Sequence, residues 1–261
     1  MLPRPRPPAA GALRAALALG GCGEDRDPGS TETVPEVGAC RDLDADDVAA
    51  SSNDTEPVAC TQAHTAETFA AGDLPDEFAE TEYDDSALGA WAYDTCSEAF
   101  RVHLGADESV VMRTVLSWAW FRPTESEWDD GARWYRCDLI GGGEQSPSYV
   151  DLPAGTEGLL AGIPEDDWMA CADGPTVAGS PKVPCTEDHV WRAVTTIKLG
   201  EPGDDYPGDR VSEVQTRDFC ADSVAAWLGY PESYDYGYTF FHEAEWSTGN
   251  RRSVCWARTS H

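Results

Sequence analysis

The sequence predicts an α+β fold of two homologous modules, each a small antiparallel sheet backed by one helix and stapled by disulfide bonds. This prediction depends on a duplicated set of cysteines, on a second motif that recurs with them, and on strand and helix patterns that follow in the same order in both copies. The 261 residues, 41% of them hydrophobic, are enough for two domains with their own cores.

Eight of the nine cysteines fall into two sets of four with matching spacing. The second cysteine of each set lies in a Val-x-Cys-x-x-x-His motif, and the third follows it after 36 residues in one set and 35 in the other. The sets are Cys40, Cys60, Cys96 and Cys137, and then Cys171, Cys185, Cys220 and Cys255. This agreement indicates a tandem duplication.

A second motif, Glu-Trp-x-x-Gly-x-Arg-x-x-x-Cys, leads into the fourth cysteine of each set, and its two copies lie 118 residues apart. Between the copies, three consecutive glycines followed by polar residues are typical of a linker. We assign residues 37–140 to repeat 1, residues 141–164 to the linker and residues 165–261 to repeat 2.

Repeat 2 shows the expected elements most clearly. Residues 190–199 are rich in β-branched side chains and predict a strand, and residues 209–228 predict a helix that Gly229 and Pro231 terminate. The predicted inner face of that helix carries Val211, Val214, Cys220, Val224 and Trp227 or Leu228. The matching helix of repeat 1 covers residues 86–104. A strand, a short turn containing Trp128 or Trp246, and a last strand with the fourth cysteine complete each copy.

Four cysteines allow three pairings in each repeat, and sequence alone does not select one. The pairing we favour joins the first cysteine to the second and the third to the fourth. It gives the bonds Cys40–Cys60, Cys96–Cys137, Cys171–Cys185 and Cys220–Cys255. The first bond of each repeat would close its N-terminal loop, and the second would join its helix to its last strand.

The ninth cysteine belongs to the N-terminal segment. Residues 1–21 combine a basic start, a short apolar run and small residues, which is typical of an export signal. Cys22 follows Leu-Gly-Gly and resembles the lipidated cysteine of a bacterial lipobox, so we expect a lipoprotein signal peptide at 1–21 and an acidic tether at 22–36. An ordinary cleaved signal, or a misassigned start with Cys22 incidental, is the alternative. No other segment approaches the length that spans a membrane.

The charge balance restricts the possible partners. With 18 Lys and Arg against 48 Asp and Glu, the chain carries a formal charge of −30, which argues against binding to nucleic acid or to an anionic lipid surface. We therefore expect the membrane contact to be made through the lipid on Cys22. Many cysteines without zinc-finger spacing favour an oxidising compartment, and so an exported protein on the outer face of the cytoplasmic membrane.

The Val-x-Cys-x-x-x-His motif and the Trp-x-x-Gly-x-Arg-x-x-x-Cys ending resemble the septum-formation domain, a family of exported or membrane-anchored proteins of high-GC Gram-positive bacteria. The resemblance covers nearly all of both repeats and implies a role in cell division or envelope biogenesis. The family pattern usually continues as His-x-x-Glu. Repeat 1 keeps it as His64 and Glu67, whereas repeat 2 has His189 but Arg192 in place of the glutamate.

Two pairs of recurrent polar residues are candidate site residues. His64 and His189 suit either a general base, paired with Glu67 in repeat 1, or a zinc ligand; the alternative that we favour is a structural histidine bonded to loop carbonyls. Arg133 and Arg251 suit a carboxylate-binding pocket, or, as we favour, an internal ion pair with the motif glutamate beneath the tryptophan.

No nucleophile, phosphate-binding or dinucleotide-binding motif is present, and the acidic clusters lack the register of a calcium loop. We therefore predict no cofactor, no metal and no enzymatic activity. The expected function is that of a lipid-anchored envelope protein that acts by binding an envelope protein partner. The alternatives are an envelope hydrolase that uses His64 and Glu67, and a lipoprotein that binds a small ligand between the two copies.

Overall fold

A computed structural model describes residues 34–259. The predicted signal peptide, Cys22 and nearly all of the tether lie outside these residues. Both repeats belong to one compact unit. Within residues 34–259, no helix combines the length and the apolar character that crossing a membrane requires.

Repeat 1 forms a four-stranded antiparallel sheet in the order β1-β2-β4-β3. Its strands are β1 (Cys40–Arg41), β2 (Ala66–Asp73), β3 (Ser117–Phe121) and β4 (Trp134–Ile140), and its helices are α1 (Ala45–Ala49), α2 (Ser86–Leu104), α3 (Glu108–Val111) and α4 (Glu125–Asp129). The inner strand β4 is paired on both edges and buried along most of its length, so it forms the centre of this module.

Repeat 2 forms a five-stranded antiparallel sheet in the order β6-β5-β7-β9-β8. Its strands are β5 (Ala170–Ala172), β6 (Lys182–Pro184), β7 (Trp191–Lys198), β8 (Tyr236–Thr239) and β9 (Arg252–Arg258), and its helices are α5 (Asp209–Trp227) and α6 (Glu243–Ser247). The β7-β9-β8 arrangement repeats β2-β4-β3. The long strand of each repeat also carries a register shift at one equivalent residue, Phe69 in β2 and Val194 in β7.

One long helix of 19 residues lies against each sheet, which confirms the α+β fold of two disulfide-stapled modules. The predicted turn that carries the motif tryptophan is instead a short helix, α4 or α6, because the motif glutamate accepts a hydrogen bond from the N-terminal backbone of each, and in α4 Thr124 completes a reciprocal cap.

The predicted inner face of α5 is wrong at its N-terminal end, and of the two residues predicted for its other end Leu228, not Trp227, packs against the core. Val211 and Trp227 are 43% and 49% exposed, and the buried residues are Ser212, Thr216, Cys220 and Val224. Cys220 is bonded to β9, which fixes the side of the helix that faces the sheet, and steps of four residues from Cys220 reach the two hydroxyl side chains. The helix therefore buries hydroxyls where α2 buries Leu88 and Ala92.

The faces of the two sheets that point away from the long helices differ in chemistry. In repeat 1 this face holds a buried polar network: Asp138 lies 3.0 Å from Arg136 and accepts a 2.7 Å hydrogen bond from Thr68, to which Arg41 donates at 2.9 Å. In repeat 2 the equivalent positions are apolar and form part of one cluster. That cluster contains Ala170, Ala172, Val177, Trp191, Ala193, Val254 and Trp256, together with Val115 from repeat 1.

Val115 is one of several contacts that join the repeats. Glu108 in α3 forms a 2.5 Å ion pair with Arg252 in β9, and Arg113 donates a 3.1 Å hydrogen bond to the carbonyl of Val194. Because apolar, ionic and hydrogen-bonded contacts all cross the junction, the two modules share a core.

Candidate functional site

The four disulfide bonds have the connectivity favoured from the sequence. Cys40 is joined to Cys60, Cys96 to Cys137, Cys171 to Cys185 and Cys220 to Cys255, with Cα–Cα distances of 5.0 to 5.7 Å. The first bond of each repeat closes an N-terminal loop, and the second attaches the long helix to the central strand. Since all eight thiols are in disulfides, none of them is a thiolate that could bind zinc.

His64 and His189 occupy equivalent buried positions just before the long strand. In both, Nδ1 donates a 2.8 Å hydrogen bond to the carbonyl two residues earlier, Gln62 or Glu187, so Nδ1 carries the proton. His64 is fully buried, and its Nε2 has no hydrogen-bond partner among the described residues. This geometry closes the loop that follows the disulfide, as expected of a structural histidine.

The Glu-Trp-x-x-Gly-x-Arg-x-x-x-Cys motif is explained residue by residue by the local fold. Its glutamate accepts from the backbone N–H at the start of α4 or α6, at 2.6 Å for Glu127 and 2.7 Å for Glu245. Its tryptophan is buried in both repeats. Its glycine, Gly131 or Gly249, has φ of +99° or +114°, which a side chain would strain. Each of these positions, which recur in both repeats, thus has a structural role.

The motif arginines stack on the motif tryptophans. The guanidinium carbon lies 3.9 Å from the ring centroid of Trp128 for Arg133, and 3.7 Å from that of Trp246 for Arg251. Arg133 also donates to the carbonyls of Ala79, Trp128 and Ala132. The predicted ion pair is absent in repeat 2, because Arg251 is in none of the ion pairs found among residues 34–259.

We expect Arg133→Gln to lower the free energy of unfolding by about 2 kcal/mol, because the change removes a cation–π contact and hydrogen bonds to carbonyls that stay partly buried. Arg251→Gln should have a similar effect. Urea unfolding measures both, with the exposed Arg217→Gln as the control. A loss no larger than that of the control would contradict the structural role of these arginines.

A wide cleft of about 970 Å³ between the start of β3 and the edge strand β8 contains a residue that the sequence did not single out, Lys182. Its ammonium group donates to the carbonyls of Val177 and Ser180 and lies 4.9 Å from the ring centroid of Trp256. Burial lowers the pKa of Lys182 to about 8. The fold that surrounds it is assembled from distant segments, so no local pattern could have identified it.

The lowered pKa of Lys182 predicts that the folded state gains stability between pH 8 and about 10.5. In that range the unfolded chain still binds the lysine proton, which the folded chain has released, so the free energy of unfolding rises with pH. Below pH 8 both states are protonated and this contribution is constant. Urea unfolding across the range should show a smaller rise for Lys182→Met than for the unmodified chain; an equally steep rise would contradict the prediction. Lys198→Met is the matched control for removing a lysine.

A second cleft, of about 810 Å³, lies between α2 and the turn that follows α6. Most of its charged side chains already have partners: Glu108 binds Arg252, Glu98 binds Arg101, and Lys198 binds Glu201. Tyr93 also lines it, and burial, reinforced by the charge of Glu108, raises the pKa of the tyrosine to about 12. The cleft between the copies therefore presents few unpaired charges to a ligand.

Several aspartates of the sequence cap helices. Asp44 caps α1, Asp85 caps α2 and Asp107 caps α3, each through hydrogen bonds from backbone N–H groups. Among residues 34–259, no group of three or more His, Cys, Asp or Glu side chains is arranged to hold a metal ion.

Comparison with known proteins gives one family. The model of the septum-formation family matches the chain twice, over residues 26–122 and 112–255. No curated protein and no solved structure matches the chain. The two matches together span most of the sequence, so the chain belongs to the septum-formation family.

Proposed function

We propose that this chain is a non-catalytic protein of the cell envelope that acts in division or envelope biogenesis by binding another envelope protein. We further propose that a lipid on Cys22 anchors it to the outer face of the cytoplasmic membrane. Membership of the septum-formation family supports the link to division, and the four disulfides support an exported location.

The main support is that the residues shared by both repeats are used to build the scaffold. The histidines close loops, the motif arginines stack on tryptophans, and the cysteines join helix to sheet. A duplicated catalytic domain would instead keep its recurrent polar groups available to a substrate. We therefore assign the binding function to surfaces that differ between the repeats, as is expected of a protein-binding module.

The hydrolase alternative has less support. His64 is fully buried and Glu67 is only 8% exposed, and the histidine already donates its Nδ1 proton to a backbone carbonyl. A general base must reach the proton that it removes, and this histidine would reach a substrate only if the loop around it opened. Repeat 2 replaces the glutamate by Arg192, which pairs with Asp166.

Complementation in the native host tests the proposal. The full chain should restore normal septa, and Glu67→Gln should restore them equally well, because the change keeps the shape of the side chain and removes only its charge. Cys22→Ala should move the protein out of the membrane fraction. Cross-linking in intact cells should capture a partner with the anchored form. Loss of septal function by a folded, normally abundant Glu67→Gln variant would favour the hydrolase instead.

A further inference from the structure

We propose that a pocket at the junction of the repeats, lined by Arg113, Arg192 and Trp227, binds a carboxylate attached to a small apolar group. The pocket has a volume of about 330 Å³. It goes beyond the proposed envelope role, since it assigns a ligand chemistry to a specific place on repeat 2. Where the carboxylate belongs to a partner protein, the inference also rests on the proposed binding function.

The pocket is lined by basic and apolar side chains, although the chain as a whole is strongly acidic. The chain carries −30, yet none of the described residues that line this pocket is an aspartate or glutamate, and three of them are Arg113, His189 and Arg192. The remaining lining residues are Met169, Ala193, Val194, Trp227 and Thr259. One side of the pocket is therefore basic, and the rest is mainly apolar.

Arg113 is the basic group that lacks an acidic partner. Its Nε donates to the carbonyl of Ser109 at 2.9 Å and its Nη1 to that of Val194 at 3.1 Å, but it belongs to none of the ion pairs within residues 34–259. Burial lowers the pKa of Arg113; Asp107 opposes this shift and the like charge of Arg192 adds to it. A bound anion would offset both the burial and the repulsion.

Arg192 shows which anion suits this place. Its two terminal nitrogens donate to the two carboxylate oxygens of Asp166, at 3.0 and 2.5 Å, which is the planar two-point geometry that arginine forms with carboxylates. That pair neutralises Arg192 and leaves Arg113 for a second carboxylate. Walls of Met169, Val194 and Trp227 favour a single charge next to an apolar group over a fully hydrated dianion such as phosphate.

In repeat 1, the linker covers the place that is equivalent to this pocket. His103 stands seven residues after the third cysteine, as Trp227 does, and its Nε2 lies 2.7 Å from Oγ1 of Thr156 in the linker. The linker also donates from the N–H of Leu152 to the carbonyl of His64 at 2.8 Å, and it buries Leu152 and Leu160 in the core of repeat 1. In repeat 2 the described residues leave the corresponding place open and Trp227 49% exposed. An apolar group on the ligand would take the part that the linker leucines play in repeat 1.

Titration of the full chain with N-acetyl-leucine, followed by calorimetry, tests the pocket. We expect saturable binding at least tenfold tighter than that of N-acetyl-leucinamide, which has the same apolar group but no carboxylate. Arg113→Gln should weaken binding of the acid at least tenfold. Trp227→Ala should weaken it severalfold without loss of folding, because the ring is half exposed. Phe219→Ala, an exposed aromatic residue on the same helix, is the matched control and should bind as the unmodified chain does.

Equal binding of acid and amide, no saturable binding, or equally tight binding of inorganic phosphate would overturn the proposal. A leucine-ended tripeptide separates the two sources of the carboxylate. Tighter binding than the acetylated amino acid assigns the site to the end of a partner chain, and equal binding assigns it to a free acid; both support the pocket. These titrations use purified protein, so their failure leaves the complementation result, and with it the envelope role, unchanged.

Discussion

Asp138→Ala is expected to lower the free energy of unfolding by about 3–5 kcal/mol, because it leaves buried arginine charge without its carboxylate. Asp138 is fully buried, and Arg136 and Arg41 are 3% and 6% exposed. The carboxylate pairs with Arg136 directly and is linked to Arg41 through Thr68. Urea unfolding, followed by circular dichroism and tryptophan fluorescence, measures the loss.

A surface ion pair of similar geometry provides the control. Asp235 lies 2.9 Å from Arg258, but both side chains are more than half exposed, so Asp235→Ala should cost at most about 1 kcal/mol. Similar, small losses of stability in the two variants would contradict the prediction that the buried network around Asp138 stabilises repeat 1 more than a surface ion pair does.

Removal of the Cys96–Cys137 bond by alanine at both positions is expected to cost about 4 kcal/mol. The bond closes a loop of 41 residues between the long helix and the central strand, and the chain-entropy relation gives this magnitude for a loop of that length. Both sulfurs are fully buried in the main core of repeat 1, so the replacement also removes packing atoms. Because the repeats share a core, the unfolding midpoint of the whole chain should fall.

The Cys171–Cys185 bond is the matched comparison, since its sequence separation is only 14 residues and the same relation gives about 3 kcal/mol. Urea unfolding of the two double variants ranks the bonds. A larger loss for the shorter loop, or a loss below about 1 kcal/mol for the longer one, would contradict the expected order of the two bonds.

Features fixed by short spacing could be predicted from the sequence. The duplicated cysteines and the Glu-Trp-x-x-Gly-x-Arg motif identified the modules, because capping, glycine conformation and stacking on tryptophan all act within a few residues. Helix and strand patterns likewise placed α2, α5 and β7 close to their observed bounds.

Features assembled across long distances could not be predicted. The inner face of α5 was misassigned at its N-terminal end because Val211 is apolar yet exposed, while the buried side carries Ser212 and Thr216. Hydrophobicity alone assumes that every apolar residue faces the core, whereas here a disulfide sets the rotation of the helix. Lys182 and Arg113 each have one partner far away in the chain, Trp256 and Val194, which no local signal could identify.

The difference between the two sheet faces that point away from the long helices has a consequence for the way in which the repeats fold. Tandem homologous domains risk exchanging equivalent strands during folding, because each strand fits the other sheet in length and hydrogen bonding. Here β4 carries Arg136 and Asp138 where β9 carries Val254 and Trp256, so an exchange would insert an ion pair into an apolar cluster and place a tryptophan beside Arg41. The first misassembly buries two charges among apolar side chains, and the second leaves the buried Arg41 without a carboxylate nearby. The divergence of the repeats thus directs each central strand to its own sheet.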